Sequence, residues 1–492
     1  MKPPKPPKPL QPRRPLKTQG PLQPLQPLKA SAVNRSAPPP PGEVHPFHFP
    51  AFVRHRLPSG VVVWLAQLPG APLISIDLLA PAGCQHDPPG RAGLATFTAA
   101  LLDEGAAGRN ALEIAAGVEG LGGQIVTGAD WDVGYGTIFL LSRHARAGLR
   151  LLAEVFATPT FPDREIERLR RLRLSELLRR RHQPSAIADE QLAAALYHGT
   201  VYANVPLGTE ASLAAIGRDE IVKFYRRHYR LAASNLILVS DLRPDDLLEV
   251  AADALAAALS DSDGAGGGDA EAVAQPAIIP PPLAGPRVYI VDRPGAAQTE
   301  LRLGHAGVPR PHPDSAALSF LNTLLGGKFT SRINLNLRER HGYTYGASSR
   351  FSGRLGPGPF VIGTGVATES AGAAAREVLH ELRRIQDEPV EADEMEETRS
   401  YILGVFPYTV QTIADLARRL ADLAIYGLPD DHYDRYLRTV ATLSRADIQE
   451  AARRHLHPDQ SAIVAVGPAE LLRPQFESFA EVIVRAISSA DS

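Results

Sequence analysis

The chain has 492 residues, 44% hydrophobic and 22% charged, with a formal net charge of −2. These values fit a soluble globular protein of two to four domains and exclude a global electrostatic drive toward nucleic acid or anionic membrane. The single cysteine, Cys84, excludes an intrachain disulfide framework and any multi-cysteine metal site.

Residues 1–44 are Pro-rich, with Lys and Arg but no acid before Glu43. Such a segment builds no core and is expected as a disordered or polyproline II tail, either docking on a partner or simply solvated. It contains no secretory apolar region, and no run of about 18 uninterrupted apolar residues occurs later. The expected location is cytoplasmic.

A first domain is expected over 45–258. Strand-like runs at 61–66 and 72–79 precede a helix over 92–102. A helix over 112–119 leads through a turn at Gly122-Gly123 to a strand at 135–141 and a helix at 145–156. After Thr158-Pro159, Asp163 and Glu165 open a long charged helix, where acids suit the helix dipole. An acid-started helix ending in Arg226-Arg227-His228 then leads to an apolar strand. Residues 259–286 read as a linker, flexible through Gly266-Gly267-Gly268 and stiffer through Pro280-Pro281-Pro282.

The second domain, 287–485, repeats the plan before a short tail at 486–492. Runs at 287–291 and 299–303 precede helices at 315–325 and 332–340, strands at 346–352 and 359–366, and a helix at 370–386. Glu388-Pro389 and Asp393 open another charged helix, and Arg453-Arg454-His455 again precedes an apolar strand. Two matching copies predict an α+β protein of two tandem homologous domains, each a mixed, mostly antiparallel sheet covered by helices.

Two stretches carry a resemblance. The first is Gly93-Leu94-Ala95-Thr96-Phe97-Thr98-Ala99-Ala100. The second runs from Gly326-Gly327-Lys328-Phe329-Thr330-Ser331-Arg332 to Leu337-Arg338-Glu339 and Tyr343-Thr344-Tyr345-Gly346. Over roughly 50–485 the chain resembles the insulinase, pitrilysin and mitochondrial-processing-peptidase family of zinc peptidases. The resemblance implies a half-clam shell and, on the helix after Gly-Leu-Ala, a His-x-x-Glu-His motif for zinc and its activated water. Here the histidine positions are Thr96 and Ala100 and the glutamate position is Ala99. Glu176, 76 residues beyond Ala100, matches the family's distant ligand, as a remnant or as a solvated helix carboxylate.

Catalytic zinc requires about three protein ligands and a water, so no metal is expected in this chain. His86, His144, His182 and His198 are scattered, and His455 and His457, two apart, would face different sides of a helix. The resemblance further implies that Arg338 and Tyr345 reach toward a zinc site on another domain. A fixed guanidinium and a hydroxyl donor suit a developing oxyanion; capping a helix and packing a strand end are the structural alternatives. Gly326 and Gly327 line a peptide channel or end a helix that needs positive φ. The expected function is the non-catalytic subunit of a heteromeric zinc metallopeptidase, inactive alone. Zinc would sit in a homologous His-x-x-Glu-His partner, and a peptide would be the substrate. The alternative is a non-enzymatic scaffold or peptide-binding protein of the same fold.

Overall fold

A computed structural model describes residues 46–260, 275–283 and 285–485; the tail 1–44, the Gly-rich part of the linker and residues 486–492 lie outside the described residues. Strands β1 (Phe52–Arg56), β2 (Val62–Gln67), β3 (Leu73–Ala80), β6 (Gln124–Ala129), β7 (Gly134–Leu141) and β8 (Asn235–Ser240) form one sheet, and β4 (Gly105–Ala106) and β5 (Arg109–Asn110) form a small hairpin. Strands β9 (Arg287–Asp292), β10 (Gln298–Ala306), β11 (Thr344–Phe351), β12 (Pro359–Ala367), β13 (Ala462–Gly467) and β14 (Glu481–Arg485) form the other sheet. The helices of the first half are α1 (Leu94–Ala99), α2 (Ala111–Glu119), α3 (Ala145–Ala157), α4 (Asp163–Arg180), α5 (Pro184–Leu196), α6 (Glu210–Ala215), α7 (Arg218–His228) and α8 (Pro244–Ser260). Those of the second are α9 (Ser315–Asn322), α10 (Arg332–Asn334), α11 (Ala371–Asp387), α12 (Ala392–Val405), α13 (Ile413–Tyr426), α14 (His432–Thr442), α15 (Arg445–His455) and α16 (Ala469–Phe476).

The sheets run β1-β2-β8-β3-β7-β6 and β14-β9-β13-β10-β12-β11. Read in this direction, five strands match in place and in sense. β2–β8 and β9–β13 are parallel, and the next three pairs in each sheet are antiparallel. The sixth strand differs: β1 pairs antiparallel with β2, whereas β14, from the chain's other end, pairs parallel with β9. The parallel members β8 (NLILVS) and β13 (AIVAVG) are buried almost throughout, which is why they read as continuous apolar runs rather than alternating ones.

A second duplication lies in side chains. Arg170 on α4 faces the Phe97 ring at 5.5 Å and donates to the carbonyls of Leu213 and Ile216. Arg399 on α12 faces the Phe320 ring at 5.9 Å and donates to the carbonyls of Val440 and Leu443. In both halves one guanidinium ties the long helix to the carbonyl end of another helix and to an aromatic ring. It also fixes the register of the repeat: Phe97 corresponds to Phe320, so Thr96 and Ala99 correspond to Ser319 and Asn322. The helices that end in Arg-Arg-His match as well, since cations suit a helix C-terminus.

Each sheet needs an apolar cover on both faces. α3 and α8 contribute to the core on one face of the first sheet, and α11 does so for the second. The other faces are covered by exchange. α13, from the second half, lays Leu416, Leu420 and Leu423 against Trp64, Ile237 and Val239 of the first sheet. α5, from the first half, packs Ala188, Leu192 and Ala195 against Tyr289, Val464 and Val466 of the second. Tyr197 and Tyr202 follow α5 and, with Trp131, form an aromatic box around Arg354, whose guanidinium lies 4.2 Å from the Trp131 ring and 4.5 Å from that of Tyr202. Asp132 accepts from Leu355 N at the same seam. The described residues from Pro46 onward accordingly form one compact unit.

Several expectations shift. The helix expected over 92–102 is only Leu94–Ala99, because Gly93 sits at φ +88° and the helix gives way to a 3-10 turn at Leu102–Glu104. The helices expected at 315–325 and 332–340 finish as π turns, Thr323–Gly327 and Leu335–Arg340. α8 runs to Ser260, two residues past 258. No helix among the described residues is long and apolar enough to cross a membrane.

Leu420 is fully buried beneath the first sheet. Leu420→Ala is therefore expected to destabilise the whole unit by about 2–5 kcal/mol, measured by urea unfolding. A loss below about 1 kcal/mol would mean that the exchanged helix does not anchor the two halves.

Candidate functional site

The Gly93-Leu94-Ala95 stretch begins a helix through a buried carboxylate. Asp87 accepts from Gly93 N at 2.8 Å and Ala95 N at 2.7 Å. Burial pushes the Asp87 carboxyl up to about 7, against the pull of those two donors and of Arg173. Gly93 is required here: its φ is +88°, and a Cβ would meet Gly208 N and Leu207 O at 2.8 Å.

On this helix Thr96 donates its hydroxyl proton to Pro206 O at 2.6 Å. Its oxygen accepts from an Arg173 guanidinium nitrogen at 2.9 Å, and a second nitrogen donates to Thr96 O at 2.6 Å. The same guanidinium lies 4.9 Å from the Phe97 ring. Ala99 is fully buried, so the next two motif positions, Ala99 and Ala100, offer only methyl groups. The distant member of the expected set is engaged with a different partner. Glu176 lies one turn beyond Arg173 on α4, is partly exposed, and is bound by Arg179 at 2.5 and 2.7 Å. Burial lowers the Arg173 guanidinium to about 10, with Cys84 and Asp87 opposing, so it remains a cation at neutral pH.

Zinc does not fit this place. The donor set is one hydroxyl with its proton already committed, two methyl groups and a fixed positive charge, where about three ligands and no cation are needed. His86 and His144 are engaged elsewhere. His86 and His228 stack at 4.6 Å, and burial drives both down to about 4. His144 accepts from Arg143. The His457 backbone N–H donates to His305 Nε2, while the His455 ring bonds Asp314 at 2.7 Å; α15 ends at His455, so the two do not share a helix. Among the described residues, His312, Asp314 and His455 form a group with metal-holding spacing. The Arg454 guanidinium, 2.9 Å from the same Asp314 oxygen, already supplies a cation there.

The second half holds its residues differently. Lys328 bonds Glu397 at 2.8 Å, and Arg332 makes two bonds to Glu394 at 2.7 and 2.6 Å, pinning the 326–332 turn to α12. Gly326 is buried, and a Cβ there would lie 2.5 Å from Ser349 N, so its role is close approach to β11. The helix does end here, at the π turn Thr323–Gly327, but neither Gly326 nor Gly327 has a positive φ, so the end needs no left-handed residue. Buried Asn334 joins three pieces: its amide donates to Phe329 O at 2.6 Å and its oxygen accepts from Ala347 N at 3.0 Å. Asn334 and Arg173 were not legible as site residues. The signals present were an asparagine between Ile333 and Leu335 and an arginine one turn after Arg170 on the same helix.

Arg338, in the second π turn, lies with its guanidinium 4.4 Å from the Phe329 ring, and its Nη1 has no hydrogen bond. That same Nη1 lies 3.4 Å from a Glu339 carboxylate oxygen, a loose ion pair. Tyr345 falls where the β11–β12 register shifts between Thr344 and Ala347, and it is 93% exposed. A bulge re-aims the side chain it carries, and this one points the ring into solvent at the sheet edge.

Restoring His at 96 and 100 and Glu at 99 is expected to give no stoichiometric zinc while Arg173 stays. Adding Arg173→Glu to those changes is expected to allow uptake, measured by elemental analysis after dialysis. Stoichiometric zinc in the protein that keeps Arg173 would show that the guanidinium does not block the place.

Two family profiles match the chain: "Insulinase (Peptidase family M16)" over 62–210 and "Peptidase M16 inactive domain" over 215–402. An uncharacterized zinc protease of Rickettsia bellii is 22% identical over 423 residues, covering 85% of this chain and 97% of that protein. The mitochondrial-processing peptidase subunit beta of Bos taurus is 24% identical over 54% of this chain and 53% of its own length. Among solved structures, a peptidase M16 inactive domain from Pseudomonas fluorescens superposes with TM-score 0.77 at 28% identity, covering 85% of this chain and 98% of its own. A protease from Helicobacter pylori superposes with TM-score 0.79 at 19% identity, covering 86% and 100%.

Proposed function

The chain belongs to the insulinase family of peptidases, M16, as an inactive-type member, and from that premise we propose that it is the non-catalytic clamp subunit of a two-chain zinc peptidase. A homologous partner with an intact His-x-x-Glu-His motif supplies zinc and the water-activating carboxylate. This chain supplies Arg338 and Tyr345 as donors to the scissile carbonyl and to the oxyanion that develops from it.

The observation that carries the reading is Tyr345, almost wholly exposed on a bulge of an edge strand. A large ring held in water at this bulge is a donor without a hydrogen-bond partner among the described residues. Arg338 adds a guanidinium braced by the Phe329 ring, its Nη1 held only in a loose ion pair to Glu339 at 3.4 Å. Donors of this kind act by being in place before charge develops. In this reading the domains 45–258 and 287–485 form one half of a shell around the peptide. Gly326 seats β11 at the peptide path, Gly327 lies beside it against Asn322, and the edge strands β6 and β11 are open to an added strand.

Peptide hydrolysis is expected only from the mixture of this chain with its zinc-bearing partner, with zinc carried by the partner. Arg338→Ala and Tyr345→Phe should each lower kcat by about a hundredfold while co-elution of the two chains is retained. Equal loss of co-elution would make these residues structural. A mixture that is inactive with the wild-type chain would favour a scaffold or peptide-binding role, a reading with which the arginine-filled Thr96 site is equally compatible.

A further inference from the structure

A cavity of about 450 Å³ opens beside α9, between the end of β11 and the helices α13 and α14. Ser319 and Asn322 lie on its wall, and these are the counterparts of Thr96 and Ala99 in the first half. The same helix face that is closed by Arg173 in one half is therefore open in the other.

Three arginines line the cavity, Arg310, Arg350 and Arg419, against one carboxylate, Asp422. Arg419 is 3.8 Å from Asp422 and packs on the Tyr433 ring at 5.6 Å. Tyr433 also donates its hydroxyl to Asp422 at 3.2 Å, so that carboxylate is already engaged. Neither guanidinium of Arg310 or Arg350 makes a hydrogen bond or close ion pair among the described residues, although the Arg310 charge acts on Asp422 through space. Gly353 makes room for Arg310, since a Cβ there would lie 2.7 Å from Arg310 Cδ. His432 adds no charge: burial first, then Arg310 and Arg419, push its imidazole down to about 4. Leu318, Phe351, Phe406 and Tyr436 add apolar and aromatic wall, and Ser315 and Ser352 add hydroxyls.

We propose that this cavity binds an organic carboxylate carried on an aromatic or apolar body, held by Arg310 and Arg350. A planar carboxylate matches the guanidinium fork. The volume is that of a small-molecule or peptide-end site. Two sources share this chemistry: the free C-terminus of a peptide ending in an apolar residue, and a free aromatic acid. The peptide source rests on the clamp reading above; the binding itself does not.

The test uses this chain without a partner, so that binding and hydrolysis fail separately. A fluorescein-labelled peptide ending in phenylalanine is titrated as free acid and as C-terminal amide, with N-acetylphenylalanine as competitor. The free acid is expected to bind at one site, the amide at least about tenfold more weakly. Arg310→Gln with Arg350→Gln is expected to weaken the acid about tenfold without changing the melting temperature. Arg350→Gln alone, at an exposed position, repeats the test where folding is not at stake. Binding of N-acetylphenylalanine as tight as that of the peptide would support the cavity with a free acid as its occupant. Tighter binding of the peptide would support it with a chain terminus. Equal affinity for acid and amide, or undiminished binding by the arginine variants, would overturn the proposal.

Discussion

The structure depends on an exchange of two helices. A six-stranded sheet with helices on one side leaves an apolar face that must be covered, and in each half the cover comes from the other half. α5 follows the long helix α4 in the first half; α13 follows its counterpart α12 in the second. They are the same element of the repeat, each laid across the neighbour's sheet. Hydrophobic burial on this scale does not require specific geometry, but the polar seam does. The box around Arg354 is built from Trp131 and from the two tyrosines after α5, and it closes only when both halves are in register.

On that frame one helix position has met two different fates. In the first half the lead-in to the motif is intact: a glycine in the left-handed region, a buried carboxylate on two backbone donors, and a short helix facing α4. What has changed is the charge in the space between the helices. A guanidinium now bonds Thr96 twice and stacks on Phe97, so the gap left by missing metal ligands is filled by a cation belonging to the chain. In the second half the corresponding face borders an open cavity with positive charge in excess. Both places balance buried or half-buried charge, one internally and one incompletely.

Much of this was legible in the sequence because the repeat is written in local signals. Turn residues, acid-started helices ending in Arg-Arg-His, and apolar runs at β8 and β13 all follow from local physics. What was not legible depends on contacts across the chain. Strands β1, β6 and β14 lie at sheet edges with weak apolar patterns. The π turns before and after Ser331 show no distinctive spacing. Glu176 has the family's spacing in sequence, yet Arg173 is the residue that meets Thr96, because which turn of α4 faces α1 is set by packing rather than by residue count. Tyr345 could be singled out from its neighbours by the resemblance, but its outward aim comes from a bulge visible only in the register of β11 with β12.

The exchanged helices also bear on ancestry. A single copy of the repeat would have carried a sheet bare on one face and a helix with nothing to cover, unless two copies met and traded that helix. The unit that was duplicated is therefore best understood as a protein that already paired with itself, and the present chain as that pair joined end to end. Once joined, the two copies no longer had to remain identical. One could close its pocket with an arginine while the other kept its edge tyrosine facing outward, a divergence that a symmetric pair of identical chains does not permit.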